Sequence, residues 1–161
     1  MRPHGNDGDC LTPLFRGVPE ARETRAVGVV APRVAILSAV ETVSPDIRST
    51  LDAAALCKMA ERGQIVGGKL DGPLAFDNAV SLEAAKTKGI VSDVAGRADI
   101  LVAPDLEAGN MIAKQLVYLA DAEMAGIVLG ARVPIMLTSR ADGVSARLGS
   151  CALALLLKRA L

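Results

Sequence analysis

From Arg33 onward the chain alternates between short aliphatic runs and longer stretches in which apolar residues recur at helical spacing. Val34–Leu37 is a β-branched and aliphatic run of the length of a buried strand. Ser44-Pro45 marks a turn. Thr50 is placed to cap a helix over Leu51–Glu61, with Leu51, Ala55 and Met59 on one stripe and Gly63 as C-cap. Gln64–Leu70 reads as a second strand, weakened by Gly67-Gly68, and Ser81 opens a short helix over Leu82–Lys88 that ends at Gly89. Ala98–Ala103 is a third strand. Asp105 then caps a helix over Glu107–Ala122 with Ile112, Leu116 and Leu119 as its apolar stripe. Ile127–Leu129 and Ile135–Leu137 supply a fourth and a fifth strand. The last helix covers Val144–Arg159, with Leu148, Ala152, Leu155 and Leu156 on one face and Lys158 and Arg159 at its C-terminal dipole. Strands alternating with helices predict an α/β fold, a largely parallel sheet flanked by helices.

Residues 1–25 break this order. The segment is rich in Gly, Pro, Arg and Asp without a period, and reads as a poorly ordered or unrelated tail ahead of a folded unit over 26–161. The balance of 18 basic and 18 acidic residues lacks the basic surface a nucleic-acid binder needs. Three aromatic residues, Phe15, Phe76 and Tyr118, leave no platform for stacking bases. The most apolar stretch, Gly126–Leu137, is cut by Gly130, Arg132 and Pro134, and the N-terminus has no apolar signal region, so a soluble cytoplasmic protein is expected. Cys10, Cys57 and Cys151 are widely spaced and odd in number, as reduced cytosolic thiols are. His4 is the single histidine, which removes His-based triads and most His metal sites from the body of the chain.

Polar residues concentrate in three loops at strand ends. The first runs from Asp71-Gly72-Pro73 through Asp77-Asn78, a strand-end position that suits ligand groups in an open α/β sheet and equally suits a tight turn with helix caps. The second, Pro104 to Asn110, stands at a helix N-terminus, where free N–H groups and the dipole favour anions. Gly109 in its first turn lowers helix stability by roughly 1 kcal/mol against Ala, which points to close approach by a ligand or a packed element. Lys114 lies one turn beyond Asn110 and reaches the same face, as a site residue or a solvated lysine. The third is Thr138-Ser139-Arg140-Ala141-Asp142, after a buried strand: a guanidinium fork suited to phosphate, with a hydroxyl and a carboxylate beside it, or a capped turn with a surface Arg–Asp pair. Gly67-Gly68-Lys69 lacks the spacing of a phosphate loop, and no dinucleotide fingerprint is present.

Four blocks carry a resemblance: VAILSAVETV (Val34–Val43), STLDAAALCKMAERGQIVGGKLDGPLAFDNAVS (Ser49–Ser81), ADILVAPDLEAGNM (Ala98–Met111) and GIVLGARVPIMLTSRADG (Gly126–Gly143). In order and spacing they are similar to the phosphate acetyl/butyryltransferase family, nearest in flavour to its butyryl branch and to proteins fused as enoyl-CoA hydratase/phosphate acetyltransferase. The resemblance implies an isocitrate/isopropylmalate dehydrogenase-like fold of two α/β domains around a cleft, a homodimer, and a chain about twice this length, so that this sequence corresponds to the C-terminal half. It implies transfer of an acetyl or butyryl group between coenzyme A and phosphate, both as substrates, with no permanently bound cofactor and no metal. The family's Ser-Arg pair falls on Ser139 and Arg140. The carboxylate proposed as base in some members falls on Ala146, a departure that leaves Asp142 as a nearby candidate and the base unassigned. Asp71, Asn110 and Lys114 lie in blocks typical of the family and are candidates for substrate binding. The alternative is an inactive truncated fragment that acts at most as a CoA-binding or dimerisation module. An NAD-linked decarboxylating dehydrogenase on the same fold needs a Lys/Tyr pair and clustered Asp ligands, and Tyr118, the single tyrosine, lies mid-helix.

Overall fold

The computed structural model describes residues 28–128 and 131–160. The expected tail over residues 1–25 therefore lies outside the described residues. Its centre is a three-stranded parallel sheet of β1 (Arg33–Leu37), β2 (Lys69–Leu74) and β3 (Ile100–Val102), in the order β2-β1-β3. β1 is covered on both faces, which explains its unbroken apolar run. Successive side chains of a strand point to opposite faces. Val34 and Ile36 pack with Ala53, Leu56 and Ile65 under helix α1 (Arg48–Glu61), while Ala35 and Leu37 pack with Leu74, Ala79, Ala85, Val94 and Ala95 under the short helices α2 (Phe76–Val80) and α3 (Leu82–Thr87). Each buried Val, Leu or Ile contributes about 1.5–3 kcal/mol through area removed from water.

Helix α1 starts earlier than expected. Thr50 lies inside it, fully buried, and does not cap it. Its hydroxyl sits 2.7 and 2.9 Å from the carbonyl oxygens of Ile47 and Ser44 and accepts the Ser44 N–H at 2.9 Å, tying the preceding turn to the helix. The buried stripe is Thr50, Ala53 and Leu56, whereas Leu51 is exposed. An Ala-rich helix is weakly polarised around its circumference, so its apolar pattern fits several rotations. Gly63 ends the helix as expected: at φ +71° its N–H reaches the Ala60 carbonyl while the Gln64 N–H reaches that of Met59.

The second strand falls later than Gln64–Leu70. Ile65 turns into the core, and Gly67 adopts φ 108°. Pairing begins only at Lys69 and runs to Leu74. Asp71-Gly72-Pro73, expected as a loop beyond the strand, instead lies within it; β2 is an edge strand, where Pro is tolerated. The register slips between Ala35 and Leu37 so that Gly72 and Pro73, joined by a cis peptide, together oppose Ile36. A Cβ on Gly72 would lie 2.7 Å from the Ile36 carbonyl oxygen, so only glycine fits there.

Helix α4 (Leu106–Leu119) has no fully buried residue, and its expected stripe positions Leu116 and Leu119 are exposed. The fourth and fifth strands, β4 (Ile127–Val128) and β5 (Ile135–Met136), do not extend the parallel sheet; they pair antiparallel with each other. Leu129, expected in β4, is outside the described residues. Helix α5 (Val144–Ala160) packs on this hairpin. Its buried side chains include Ser150 and Leu157, and the face expected to be buried, Leu148, Ala152, Leu155 and Leu156, is turned outward.

One ion pair locks β1 to the entry of β3. The Arg33 guanidinium grips Asp99 through both oxygens at 2.9 Å, and the Arg33 backbone N–H adds a third bond at 2.9 Å. These bonds hold the Asp99 carboxyl at about 2, below its ordinary value. A depressed folded-state pKa stabilises above the unfolded carboxylate range, near 4, and that stabilisation is lost as pH falls from about 4 toward 2. Asp99→Asn is expected to lower the melting temperature by about 2 °C at pH 7, a small effect because the pair is solvent-screened. In melts followed by circular dichroism the gap from the native chain should close between pH 4 and pH 2; a constant gap would assign the effect to something other than this charge.

Candidate active site

The loops after β1, β2 and β3 all leave from the same, carboxyl, end of the parallel sheet, the end at which open α/β sheets bind ligands. The loop after β1 carries Glu41 and the one after β2 runs into Asp77 and Asn78 of α2. Asn78, fully buried, donates through Nδ2 to Glu41 Oε2 at 3.1 Å. Lys88, just past α3, lies 3.3 Å from the same oxygen and 3.4 Å from Asp77 Oδ2. The bond from the Glu41 backbone N–H, with those from Lys88 and Asn78, holds the Glu41 carboxyl below its ordinary value. This network pins two of the loops together. Asp77 and Asn78 were legible as strand-end polar residues. Glu41 and Lys88 were not, since they meet across 47 residues of sequence and no local pattern announces such a contact.

Asp71 is not in a strand-end loop. It lies within β2 opposite Ala35, where its carboxylate accepts the N–H of its own neighbour Gly72 at 2.9 Å. Beside it, Cys57 Sγ of α1 donates to the Gly72 carbonyl at 3.6 Å. Desolvation, then the charges of Asp71 and Glu61, push the Cys57 thiol up to about 12. Cys57 is thus a protonated packing residue.

At the end of β3, Asp105 caps α4 as expected, its Oδ1 accepting the Ala108 N–H at 2.7 Å. The room left by Gly109 is taken by the fold itself: a Cβ there would touch the Ala103 side chain at 3.4 Å. Asn110 is exposed in the first turn of α4 and Lys114 is half-buried one turn on.

The third group forms a tight turn after β5. Asp142 Oδ2 accepts the Ser139 N–H at 2.6 Å, the Asp142 N–H returns to the Ser139 carbonyl at 3.1 Å, and Ser139 Oγ accepts the Ala141 N–H at 3.3 Å. Arg140 stands exposed at the tip. Among the described residues neither Arg140 nor Lys114 enters an ion pair, so the surface Arg–Asp pair does not form. Asp142 spends one oxygen on the turn. Ser139, Arg140 and Asp142 are therefore brought together, and Asn110 and Lys114 share one helix face. Among the described residues no hydrogen bond joins the two groups to each other or to Asp71. An open groove of about 390 Å³ beside α3 is lined by Asp77, Ser81, Glu83, Ala84, Thr87 and Lys88, none of them among these six residues. Among the described residues no group of three or more His, Cys, Asp or Glu is placed to hold a metal ion, and no helix is long and apolar enough to cross a membrane.

The family model described as phosphate acetyl/butaryl transferase matches residues 18–155. The chain belongs to the phosphate acetyl/butyryltransferase family. It is 70% identical over 131 residues to a phosphate acetyltransferase of Rhizobium meliloti, covering 81% of this chain and 42% of that protein. It is 50% identical over 131 residues to a phosphate butyryltransferase of Clostridium acetobutylicum, covering 81% and 44%. The crystal structure of a branched-chain phosphotransacylase from Enterococcus faecalis V583 superposes with a TM-score of 0.77 at 31% identity, over 85% of this chain and 49% of that one. The chain thus spans less than half the length of the curated relatives it matches, as its resemblance to a C-terminal half implied. The α/β fold agrees with that structure, and identity runs higher to the acetyl than to the butyryl relative.

Proposed function

We propose that this chain supplies the C-terminal half of the catalytic cleft of a phosphate acyltransferase, acting on acyl-CoA and phosphate to give acyl phosphate and CoA, with acetyl favoured by the higher identity to an acetyltransferase. The observation that carries this reading is the Ser139–Asp142 turn, which offers the Arg140 fork to solvent with its donors unpaired among the described residues. Guanidinium donors match phosphate oxygens two at a time. In the direction of CoA acylation the CoA thiolate attacks the acyl phosphate carbonyl, a C–S bond forms, the C–O bond to phosphate breaks, and phosphate leaves with the electron pair. Arg140 would neutralise the charge gathering on that phosphate, and the Ser139 hydroxyl would orient it. Positioning and electrostatics supply the rate, and the scheme needs neither metal nor resident cofactor. Asp142 is the nearest carboxylate to serve as base for the thiol. Asn110 and Lys114 are assigned to substrate binding at the α4 N-terminus, and Asp71 to shaping β2 at its edge. The assembled protein is proposed to be a cytoplasmic homodimer.

The test is release of free CoA thiol from acetyl-CoA and butyryl-CoA, with and without phosphate. It is measured on the folded chain and on a chimera in which this chain replaces the matching half of the Rhizobium meliloti relative. Phosphate-dependent release from the chimera is expected, faster with acetyl-CoA. A folded chimera that releases no thiol would overturn the assignment.

A further inference from the structure

The loop after β1 is anchored at both ends to one part of the fold and in its middle to another. At its start the Ser38 N–H bonds the Leu74 carbonyl at 2.9 Å, and Ser38 Oγ lies 2.8 Å from Ser49 Oγ of α1. At its end the buried Thr50 hydroxyl holds Ser44 and Ile47. None of residues 39–43 is buried, and among the described residues Glu41 alone ties this stretch to another element by hydrogen bond or ion pair. Its partners are Asn78 of α2 and Lys88 just past α3, and Lys88 is shared with Asp77. Asn78 is fully buried. Its Nδ2 faces the Glu41 carboxylate, and among the described residues its Oδ1 finds no donor. A buried acceptor without a donor lowers stability, so Asn78 gives up stability while it holds Glu41.

The stretch fastened in this way presents an apolar, uncharged surface. Val40 and Val43 are 36% and 51% exposed, and Phe76, 42% exposed, stands where β2 gives way to α2, next to the start of the loop across the Ser38–Leu74 bond. Residues 38–47 hold no Lys or Arg, and their two charges, Glu41 and Asp46, are acidic. Lys88, the cation that reaches the loop, is already engaged by two carboxylates. This surface disfavours phosphate and suits a largely apolar chain. Of the two substrates proposed above, only the acyl thioester brings one, in its acyl group and the adjoining arm of CoA. The loop also leaves from the carboxyl end of the sheet, where open α/β sheets bind ligands.

We infer that Glu41 and Lys88 are positioning residues for acyl-CoA: they hold the Val40–Val43 stretch in place as a wall for the acyl group and the arm that carries it, and take no part in binding phosphate. The inference rests on the proposed acyltransferase reading. It adds a side of the site that Ser139, Arg140 and Asp142 do not supply. A wall ordered before the substrate arrives needs no ordering on binding, so its effect falls on acyl-CoA affinity and not on the chemical step.

The test uses the folded chimera. In phosphate-free buffer butyryl-CoA does not turn over, and isothermal titration gives its Kd. Glu41→Gln, which keeps an acceptor for Asn78, and Lys88→Met are each expected to raise Kd about threefold. The double variant should stay within about fourfold, not the roughly ninefold of two independent residues, and Lys88→Arg should restore the native value. In thiol release the same factors are expected in KM for acyl-CoA, with kcat and KM for phosphate within about twofold. Additive single effects, an equal rise in KM for phosphate, or Lys88→Arg as weak as Lys88→Met would overturn the inference. A chimera that binds butyryl-CoA with these factors and releases no thiol removes the catalytic reading alone. An active chimera whose Kd and KM ignore both substitutions removes this inference alone, and a folded chimera that binds no acyl-CoA removes both.

Discussion

Arg140→Ala is expected to lower phosphate-dependent CoA release by the chimera about 10²–10³-fold, mostly in kcat. The size follows from the cost of removing one preorganised donor from a site where charge develops in the transition state, about 3–4 kcal/mol. The direction follows from the turn. Three bonds within Ser139–Asp142 fix the backbone on either side of Arg140, so the guanidinium is held near one place without being neutralised by Asp142, whose Oδ2 is bonded to the Ser139 N–H. Because Arg140 is exposed, its loss should leave the melting temperature unchanged, which separates a chemical from a structural role. Arg140→Lys keeps the charge and loses the fork, and an intermediate rate is expected, with the deficit falling on phosphate more than on acyl-CoA. A kcat and KM equal to those of the unaltered chimera would remove Arg140 from the site.

How much of this was readable beforehand divides along contact range. Features that a few neighbouring residues determine were legible: the Asp105 and Ser81 caps, the glycine ends of two helices at Gly63 and Gly89, and the buried run of β1. The Ser/Asp-capped turn over Ser139–Asp142 was legible for the same reason. Features decided by distant partners were not. Gly72-Pro73 was read as part of a loop, because nothing local says that β2 continues through it as an edge strand. The faces of α4 and α5 were assigned to a core because an apolar stripe looks the same whether its partner belongs to this fold or to another polypeptide. Asp71 was placed in a loop since the start of pairing at Lys69 is set by Pro32 and β1: the Lys69 N–H bonds the Pro32 carbonyl, and a Cβ on Gly68 would strike that same oxygen at 2.8 Å. Glu41 and Lys88, the partners of Asn78, escaped notice, their meeting being a product of the sheet's topology.

Gly96→Ala should be strongly destabilising, at about 2–4 kcal/mol, and Gly89→Ala calibrates it. Both glycines sit at nearly the same left-handed conformation, φ +73° and +68°, so each alanine incurs a similar backbone cost of about 1 kcal/mol. Their surroundings differ. Around Gly89 there is open space within 4 Å, whereas a Cβ on Gly96 would lie 2.6 Å from both the Cα and the N of Leu82 and 2.9 Å from the Ser81 carbonyl carbon. Those are backbone atoms at the start of α3, which cannot step aside as a side-chain end would. Relief requires α3 to move from the segment that carries Val94 and Ala95, opening the cluster under α2 and α3, and overpacking of that kind costs roughly 1–3 kcal/mol more. Urea unfolding followed by circular dichroism should show Gly89→Ala close to the native midpoint and Gly96→Ala far below it, a large share of the 5–15 kcal/mol of a typical domain. Equal midpoints would mean that the Ser81–Leu82 backbone is free to give. The same movement reaches the carboxyl end of the sheet. The Gly96 N–H bonds the Asn78 carbonyl at 2.7 Å, and Asn78 in turn holds Glu41. A chain carrying Gly96→Ala that still folds should therefore lose the coupling between the loops after β1 and β2, seen as faster amide exchange of Asn78 and Glu41, before it loses the face under α1, whose core is separate.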